Sequence, residues 1–262
     1  MAWSTYPLRA WLRHMLRAGD RHAVHSPFVY ALVADVLRQR TPRAEHRQID
    51  ALRQEMLKDG RGLKVTDLGA GSRAGNASFR SVASMARTAV QSPRRAAQMA
   101  RLVAWQKPRH VLELGTSLGI TTLYLAQAAP QAEVITVEGC PETAAVAKDN
   151  FRRMKADNIR LLIGSFRDRL PEALSAMPSL DLAYIDGNHA YGPTMEYFGQ
   201  CMAKAHAGSV LLLDDIHWSA DMGRAWEAIK ADQRVTVTVD LFRMGLVFLH
   251  RGQQREHFRL RY

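Results

Sequence analysis

The sequence predicts an α/β fold: a mostly parallel sheet flanked by helices, closed by an antiparallel C-terminal hairpin and preceded by an N-terminal, mainly helical cap. Three observations carry this. Between residues 110 and 138 come a short apolar run, a turn bounded by Gly115 and Gly119, an apolar-periodic helical segment and a β-branched run ending on Glu138, which together make a βαβ unit. Three further apolar runs, 159–163, 180–185 and 208–213, alternate with helical segments. Two last runs, 235–239 and 245–249, are joined only by 240–244, too short a connection for anything but an antiparallel pair.

Taken in order, Leu8, Trp11, Leu12, Met15 and Leu16 recur at helical spacing, with Arg9, Arg13 and Arg17 on another side. This is a basic amphipathic helix, which could touch a membrane or a partner; the favoured expectation is that it lays its apolar face over a core. Ser26 and Pro27 read as the cap and first turn of a helix over 28–37, and 49–57 reads as another. The stretch Val65, Thr66, Asp67, Leu68, Gly69, Ala70, Gly71, Ser72 looks like a nucleotide turn. However, Arg73, Ala74, Gly75 and Asn76 stand where an apolar helix should begin, and residues 80–91 read as a helix instead of a strand ending in an acid. The segment 67–72 is therefore expected to be a glycine-rich loop of the cap, lining a substrate entrance. Ser92 and Pro93 start a helix that ends before Lys107 and Pro108. The expected division is a cap at 1–92 and a core at 93–262.

Beyond Glu138, residues 141–155 are helical, with Ala144, Ala145, Ala147 and Phe151 available for packing. The strand at 159–163 runs into the turn Gly164, Ser165, Phe166, with the next helix around Leu170. The strand at 180–185 ends at Asp186, Gly187, Asn188 and His189, and 191–205 follows as a helix. The strand at 208–213 ends at Asp214, Asp215, Ile216 and His217, before a helix at 219–230 with Met222, Trp226 and Ile229 on one side.

Composition limits the function classes. In 262 residues, 47% hydrophobic and 23% charged, there is enough apolar matter for one substantial core and no signature of disorder. No apolar run approaches a membrane span, and the arginines of the N-terminal segment interrupt any signal-peptide core. The two cysteines, Cys140 and Cys201, lack metal-type spacing, so the expected compartment is reducing and cytoplasmic, with no membrane partner. Net charge is +11, which suits an acidic substrate or nucleic acid. The basic residues are nevertheless scattered and not interleaved with aromatics, so a solvated arginine-rich surface is favoured and nucleic acid is not.

The βαβ unit narrows the chemistry. A carboxylate ending its second strand, Glu138, is placed to accept hydrogen bonds from a ribose diol. A dinucleotide turn needs a middle glycine for close approach of a pyrophosphate, and here Ser117 stands in its place within Gly115, Thr116, Ser117, Leu118, Gly119. Glu113 adds a negative charge at the mouth of the turn, which repels a pyrophosphate and can hold an ammonium group. A nucleoside bearing an amino acid fits better than a dinucleotide, and S-adenosyl-L-methionine (SAM) is such a molecule. The acids Asp186, Asp214 and Asp215, at neighbouring strand ends, form a set of hard oxygen ligands suited to Mg²⁺ or another divalent cation.

On these residues the segment ELGTSLGITTLYLA resembles the first motif of class I SAM-dependent methyltransferases, most closely the small-molecule O-methyltransferase branch that includes catechol-type enzymes. The resemblance covers about residues 93–250 and implies a Rossmann-like sheet. It implies SAM contacts from Glu113, Gly115, Thr116, Ser117, Gly119 and Glu138, and adenine contacts from Ser165 and Phe166, with Asp186 near the cofactor. In the catechol-type pattern an Asp after the fourth strand and an Asp-Asn pair after the fifth bind Mg²⁺. Asp186 and Asp214 match, whereas Asp215 replaces the Asn. His189 stands where that pattern has a catalytic Lys, and as a neutral imidazole it is a candidate general base. His217 is a lesser candidate as a second base or ligand, and Tyr191 and Trp218 are candidates for lining a pocket. The leading expectation is metal-assisted O-methylation of a small hydroxylated molecule by a cytoplasmic protein able to form a homodimer. An RNA or protein methyltransferase stays open on net charge, although Asp186 to His189 lacks the Asn/Asp-Pro-Pro-aromatic pattern of amino-group methylation. A non-catalytic SAM-binding module also stays open, and so does a nicotinamide-dependent oxidoreductase, which Ser117 and Glu113 disfavour.

Overall fold

The computed structural model describes residues 5–20, 24–39, 46–66, 79–252 and 254–261. The chain forms two compact units, one made of 1–38 with 178–262 and the other of 39–177.

The first unit opens with α1 (Tyr6–Arg17), followed by α2 (Pro27–Ala31), which continues as a π-helical segment Leu32–Leu37. Ser26 caps α2 as predicted, its hydroxyl accepting from the Val29 N–H at 3.4 Å, and Leu32, Val33, Val36 and Leu37 are buried. The expected orientation of α1 is overturned. Its buried residues are Ala10 and His14, whereas Leu8, Trp11, Leu12, Met15 and Leu16 are all exposed. The rotation of the helix is set by a polar contact that hydrophobic periodicity does not register: His14 Nε2 donates to the Leu260 carbonyl at 3.2 Å, and its Nδ1 faces Asp240 Oδ1 at 3.2 Å.

The second unit runs α3 (Arg47–Met56), β1 (Gly62–Lys64), β2 (Phe79–Ser81), α4 (Val82–Thr88), α5 (Pro93–Gln106), β3 (His110–Leu114), α6 (Ile120–Ala128), β4 (Glu133–Glu138), α7 (Pro141–Arg153), β5 (Ile159–Ile163) and α8 (Phe166–Ala176). β1 and β2 form a small antiparallel pair, so the helix expected over 80–91 gives up its start to β2. Ser81 ends that strand and caps α4, accepting from the Ser84 N–H at 3.1 Å. The glycine-rich segment 67–72 lies outside the described residues. α5 starts on Ser92 as predicted and stops at Lys107, whose φ of 50° is left-handed and which Pro108 follows.

β3, β4 and β5 pair in parallel, with Glu113 opposite Thr136 and Glu138 opposite Ile163. α6 is buried along residues 120–126, so it has no polar face. It packs in a core with Ile49 and Leu52 of α3, Met85 of α4, Ala100 of α5 and Phe151 of α7. The Tyr124 hydroxyl inside this cluster donates to Asp50 Oδ1 at 2.6 Å, which avoids leaving a buried donor unpaired.

The remainder of the first unit is β6 (Leu180–Ile185), α9 (Tyr191–Lys204), β7 (Ala205–Asp214), α10 (Ala220–Ala231), β8 (Val237–Asp240), β9 (Met244–Phe248) and β10 (Glu256–Arg259). Within it the strand order is β10-β8-β9-β7-β6. β6 and β7 are parallel, and the predicted β8/β9 hairpin is antiparallel and inserts β9 beside β7. β10, parallel to β8, was not anticipated, since four residues of mixed polarity carry no strand periodicity. Ser219 caps α10, accepting from the Met222 N–H at 3.1 Å, which leaves Asp215 free of a capping role.

Candidate active site

In the second unit, the turn after β3 is held by backbone bonds to the next strand. The N–H groups of Gly115 and Thr116 both donate to the Val137 carbonyl, at 3.0 and 3.2 Å, and the Gly119 N–H donates to Thr116 O at 2.9 Å. Gly115, Ser117 and Gly119 have φ of 104°, 50° and 78°. Gly119 has no substitute: a Cβ there would sit 2.5 Å from the Phe151 ring and 3.1 Å from Ala147 Cβ. Asn150 of α7 donates to the Leu118 carbonyl at 2.9 Å and fixes the turn from behind.

Glu113 is wholly buried. Its Oε2 accepts from the Thr122 hydroxyl at 2.5 Å and the Thr136 hydroxyl at 2.6 Å. Because Thr136 spends its proton on Glu113, the 2.6 Å contact between Thr116 and Thr136 must have Thr116 as donor. Oε1 of Glu113 has no protein partner. Burial pushes the Glu113 carboxyl up to about 7, against the two threonine hydroxyls that favour the anion, and the Glu138 charge adds to the rise.

Glu138 ends β4 and binds the turn: Oε2 accepts from the Ser117 N–H at 2.8 Å and Oε1 from the Cys140 N–H at 2.9 Å. A carboxylate offers about four lone-pair positions, so acceptor capacity remains. Burial raises its pKa, partly offset by the N–H donors of Cys140, Ser117 and Gly139. Ser117 Oγ is buried without a partner. A buried carboxylate oxygen and a buried hydroxyl, both unsatisfied beside the N-terminus of α6, together fit a bound cofactor carrying an ammonium and polar oxygens. At the end of β5 the Ser165 hydroxyl accepts from the Asp168 N–H and donates to Asp168 Oδ2 at 2.6 Å, so it serves the cap of α8, whose first residue is Phe166.

The first unit carries the other predicted residues. Asp186, just past β6, accepts from the Tyr184 hydroxyl at 2.8 Å, and its Oδ1 lies 3.7 Å from His189 Nε2. The His189 and Trp218 rings lie 6.0 Å apart. Asp214 is buried at the end of β7. Asp215 has left-handed backbone, φ 49°, and its Oδ1 is 3.7 Å from Arg243 Nη1. Asp186, Asp214 and Asp215 do not bring three carboxylate oxygens within 4.8 Å of one another. Among the described residues the trio whose potential ligand atoms lie that close is His14, His217 and Asp240, two imidazole nitrogens and one carboxylate oxygen. His217 Nε2 donates to Asp240 Oδ2 at 2.9 Å and its ring stacks on Phe242, so the candidate second base is tied down.

The sequence missed Thr122 and Thr136, whose one signal is a hydroxyl inside an otherwise apolar run. It also missed Asp240, read as part of a connector. Asp240 is buried, and burial alone would raise its pKa; hydrogen bonds from His14 and His217, with the His217 charge, win and hold it far below the usual carboxylate range.

Comparison with known proteins agrees with this geometry. Residues 112–216 match a family model described as a methyltransferase domain. A catechol O-methyltransferase from Mycobacterium tuberculosis is 36% identical over 110 residues, 41% of this chain and 48% of that protein. One from Niastella koreensis is 30% identical over 111 residues, 41% of this chain and 49% of that protein. The chain thus spans about half the length of these relatives. In fold it is similar to the O-methyltransferase from Bacillus cereus solved in complex with SAH, with a TM-score of 0.55 at 20% identity over 84% of this chain and 97% of that one. Residues 112–216 are thus similar to a methyltransferase domain, and they lie within a Rossmann-like α/β architecture that the chain shares with solved O-methyltransferases.

Proposed function

We propose that the protein transfers the methyl group of SAM to a hydroxyl of a small molecule, with Glu113 and Glu138 anchoring the cofactor and His189 acting as general base. The observation that carries the reading is the buried, unpartnered Glu113 Oε1 behind a glycine turn whose Ser117 N–H is bonded to Glu138. An ammonium against Oε1 satisfies an acceptor otherwise left empty, and Glu138 keeps lone pairs for a ribose diol. Gly115, Thr116, Ser117 and Gly119 shape the turn, and the N–H of Ser165 with the ring of Phe166 is assigned to the adenine.

Bound SAM supplies an electrophilic methyl group on a sulfonium. His189 takes the proton of the acceptor hydroxyl, and Asp186, 3.7 Å from its Nε2, stabilises the resulting imidazolium. The freed oxygen forms the new C–O bond as the S–C bond breaks, giving a methyl ether and S-adenosylhomocysteine. Positioning supplies much of the rate.

The donor chemistry of Asp186, Asp214 and Asp215 suits Mg²⁺, but their oxygens do not converge, and Arg243 already faces Asp215. The arrangement does not fit a three-aspartate ion site, and no step is routed through a metal. The acceptor is a small molecule and not a nucleic acid, on the ground that the basic residues form no track with aromatics. The test is transfer of radiolabelled methyl from SAM to catechols and other phenols, with Mg²⁺ and with EDTA, alongside calorimetry with S-adenosylhomocysteine. Transfer that survives EDTA supports the reading as stated. Transfer abolished by EDTA and restored by Mg²⁺ overturns its metal-free step, and failure to bind S-adenosylhomocysteine overturns it whole.

A further inference from the structure

The outward apolar face of α1 is unpartnered among the described residues. Leu8, Trp11, Leu12, Met15 and Leu16 are 61, 44, 47, 36 and 85% exposed. Their spacing of i, i+3, i+4, i+7 and i+8 gathers them in one stripe along the helix. At 100° per residue Arg9, Arg13 and Arg17 fall on one flank of that stripe, between it and the buried edge, and all three are exposed. The helix contains no acidic residue.

The helix cannot simply roll its stripe inward. His14 is buried and bonded to Leu260 O, with Asp240 at its other nitrogen. Just beyond the helix, the Gly19 N–H donates to Arg259 O at 2.9 Å and the Arg261 N–H donates to Gly19 O at 3.0 Å. The seat is built from the opposite edge of the helix, and it leaves the stripe facing out.

We propose that α1 docks the protein on an anionic lipid surface, lying in the plane of the headgroups with Leu8, Trp11, Leu12, Met15 and Leu16 inserted and Arg9, Arg13 and Arg17 against lipid phosphates. The charge selects this occupant. An apolar stripe with a row of arginines on its flank is the pattern of an interfacial helix, and anionic headgroups supply the complement. A second copy would bring two arginine rows together on chains of net charge +11. At 12 residues α1 is too short to cross a membrane, so the contact it makes lies in the plane of the surface. This revises the expectation that the protein has no membrane partner, and it stands independently of the methyl-transfer reading.

The experiment is sedimentation of the full chain with vesicles of phosphatidylcholine, with and without 30% phosphatidylglycerol (about a third anionic, a composition that gives a strong surface potential). Binding should require the anionic lipid and fall in high salt. L12E with L16E should lower partitioning by at least about tenfold, since both side chains lose insertion. R9Q, R13Q and R17Q together should lower it by about a hundredfold. These side chains are exposed, so circular dichroism and Tm should stay as in the wild type. Binding unchanged in L12E/L16E would overturn the proposal, by showing that scattered surface charge does the work. No binding to anionic vesicles overturns it too, and a wild-type dimer that L12E/L16E converts to monomer would assign the stripe to a second copy instead.

Discussion

The backbone N–H of Ser117 lies 2.8 Å from Oε2 of Glu138, so the residue standing in place of a dinucleotide turn's middle glycine is tied to the acid that ends the next strand. Ser117 reaches that position with φ of 50°, a left-handed conformation that a non-glycine residue adopts at a cost. The carboxylate holds the turn in this shape, and under the proposed function its remaining lone pairs take a sugar hydroxyl.

Replacing Glu138 by Ala should therefore damage binding and turn geometry together. Two charge-assisted bonds, to the N–H groups of Ser117 and Cys140, are lost, each worth about 1.5–3 kcal/mol. Calorimetry should show the affinity for S-adenosylhomocysteine falling by about 10- to 100-fold, while Glu138→Gln, which keeps one acceptor, should fall between. Unchanged affinity in the Ala variant would remove Glu138 from the cofactor site.

Gly119→Ala tests the packing behind the same turn. The new Cβ meets Phe151 Cε1 at 2.5 Å with a φ of +78° that disfavours any side chain, so a loss of about 2–4 kcal/mol is expected in urea unfolding. Gly199→Ala, in the middle of α9 with nothing within 4 Å of its Cβ, should gain up to about 1 kcal/mol. The opposite signs separate a required glycine from a tolerated one.

Much of this was legible in the sequence because it rests on local rules. β-branched runs, the caps Ser26 and Ser92, and the glycine turn at 115–119 each announced their element, and Glu138 announced its place by ending a strand. What escaped was non-local. The stripe of α1 has the spacing of a buried face, yet His14 and Asp240, more than two hundred residues apart, turn it outward. The Ser165 hydroxyl serves a cap with Asp168, a residue that in the sequence looks like any surface acid. The three aspartates end strands or open the turns after them, as expected, but sequence order carries no information on whether their oxygens meet.

Glu113 should make stability depend on pH near neutrality. Its folded pKa is about 7 because burial disfavours the charge, above the unfolded value of about 4.3. Between those values the folded state holds a proton that the unfolded chain has released, so stability falls as pH rises from about 4.5 to about 7 and is level beyond. The fall amounts to about 4 kcal/mol, and Glu113→Gln, which cannot ionise, should lack it. Wild-type and variant unfolding curves taken from pH 5 to 8 measure the difference. S-adenosylhomocysteine, whose ammonium favours the ionised carboxylate in the proposed pose, should bind wild type more tightly as pH rises through the same window.

Asp240 makes the opposite prediction on the acid side. It is held as a carboxylate by His14, His217, the Phe242 N–H at 2.8 Å and Arg259 at 3.4 Å. Its folded pKa lies far below the unfolded value of about 3.9, so its contribution is fully present above pH 4 and is lost only as pH falls below that. Asp240→Asn removes the buried carboxylate from its hydrogen-bonding partners and should cost about 3–5 kcal/mol at pH 7. The loss should concentrate on the seat of α1, because His14 is what locks that helix. Limited trypsin digestion should then cut the variant faster at Arg9, Arg13 or Arg17 than the wild type, well below the temperature of global unfolding. Equal cleavage rates, with stability lowered all the same, would mean that Asp240 supports β8 and β10 without holding α1.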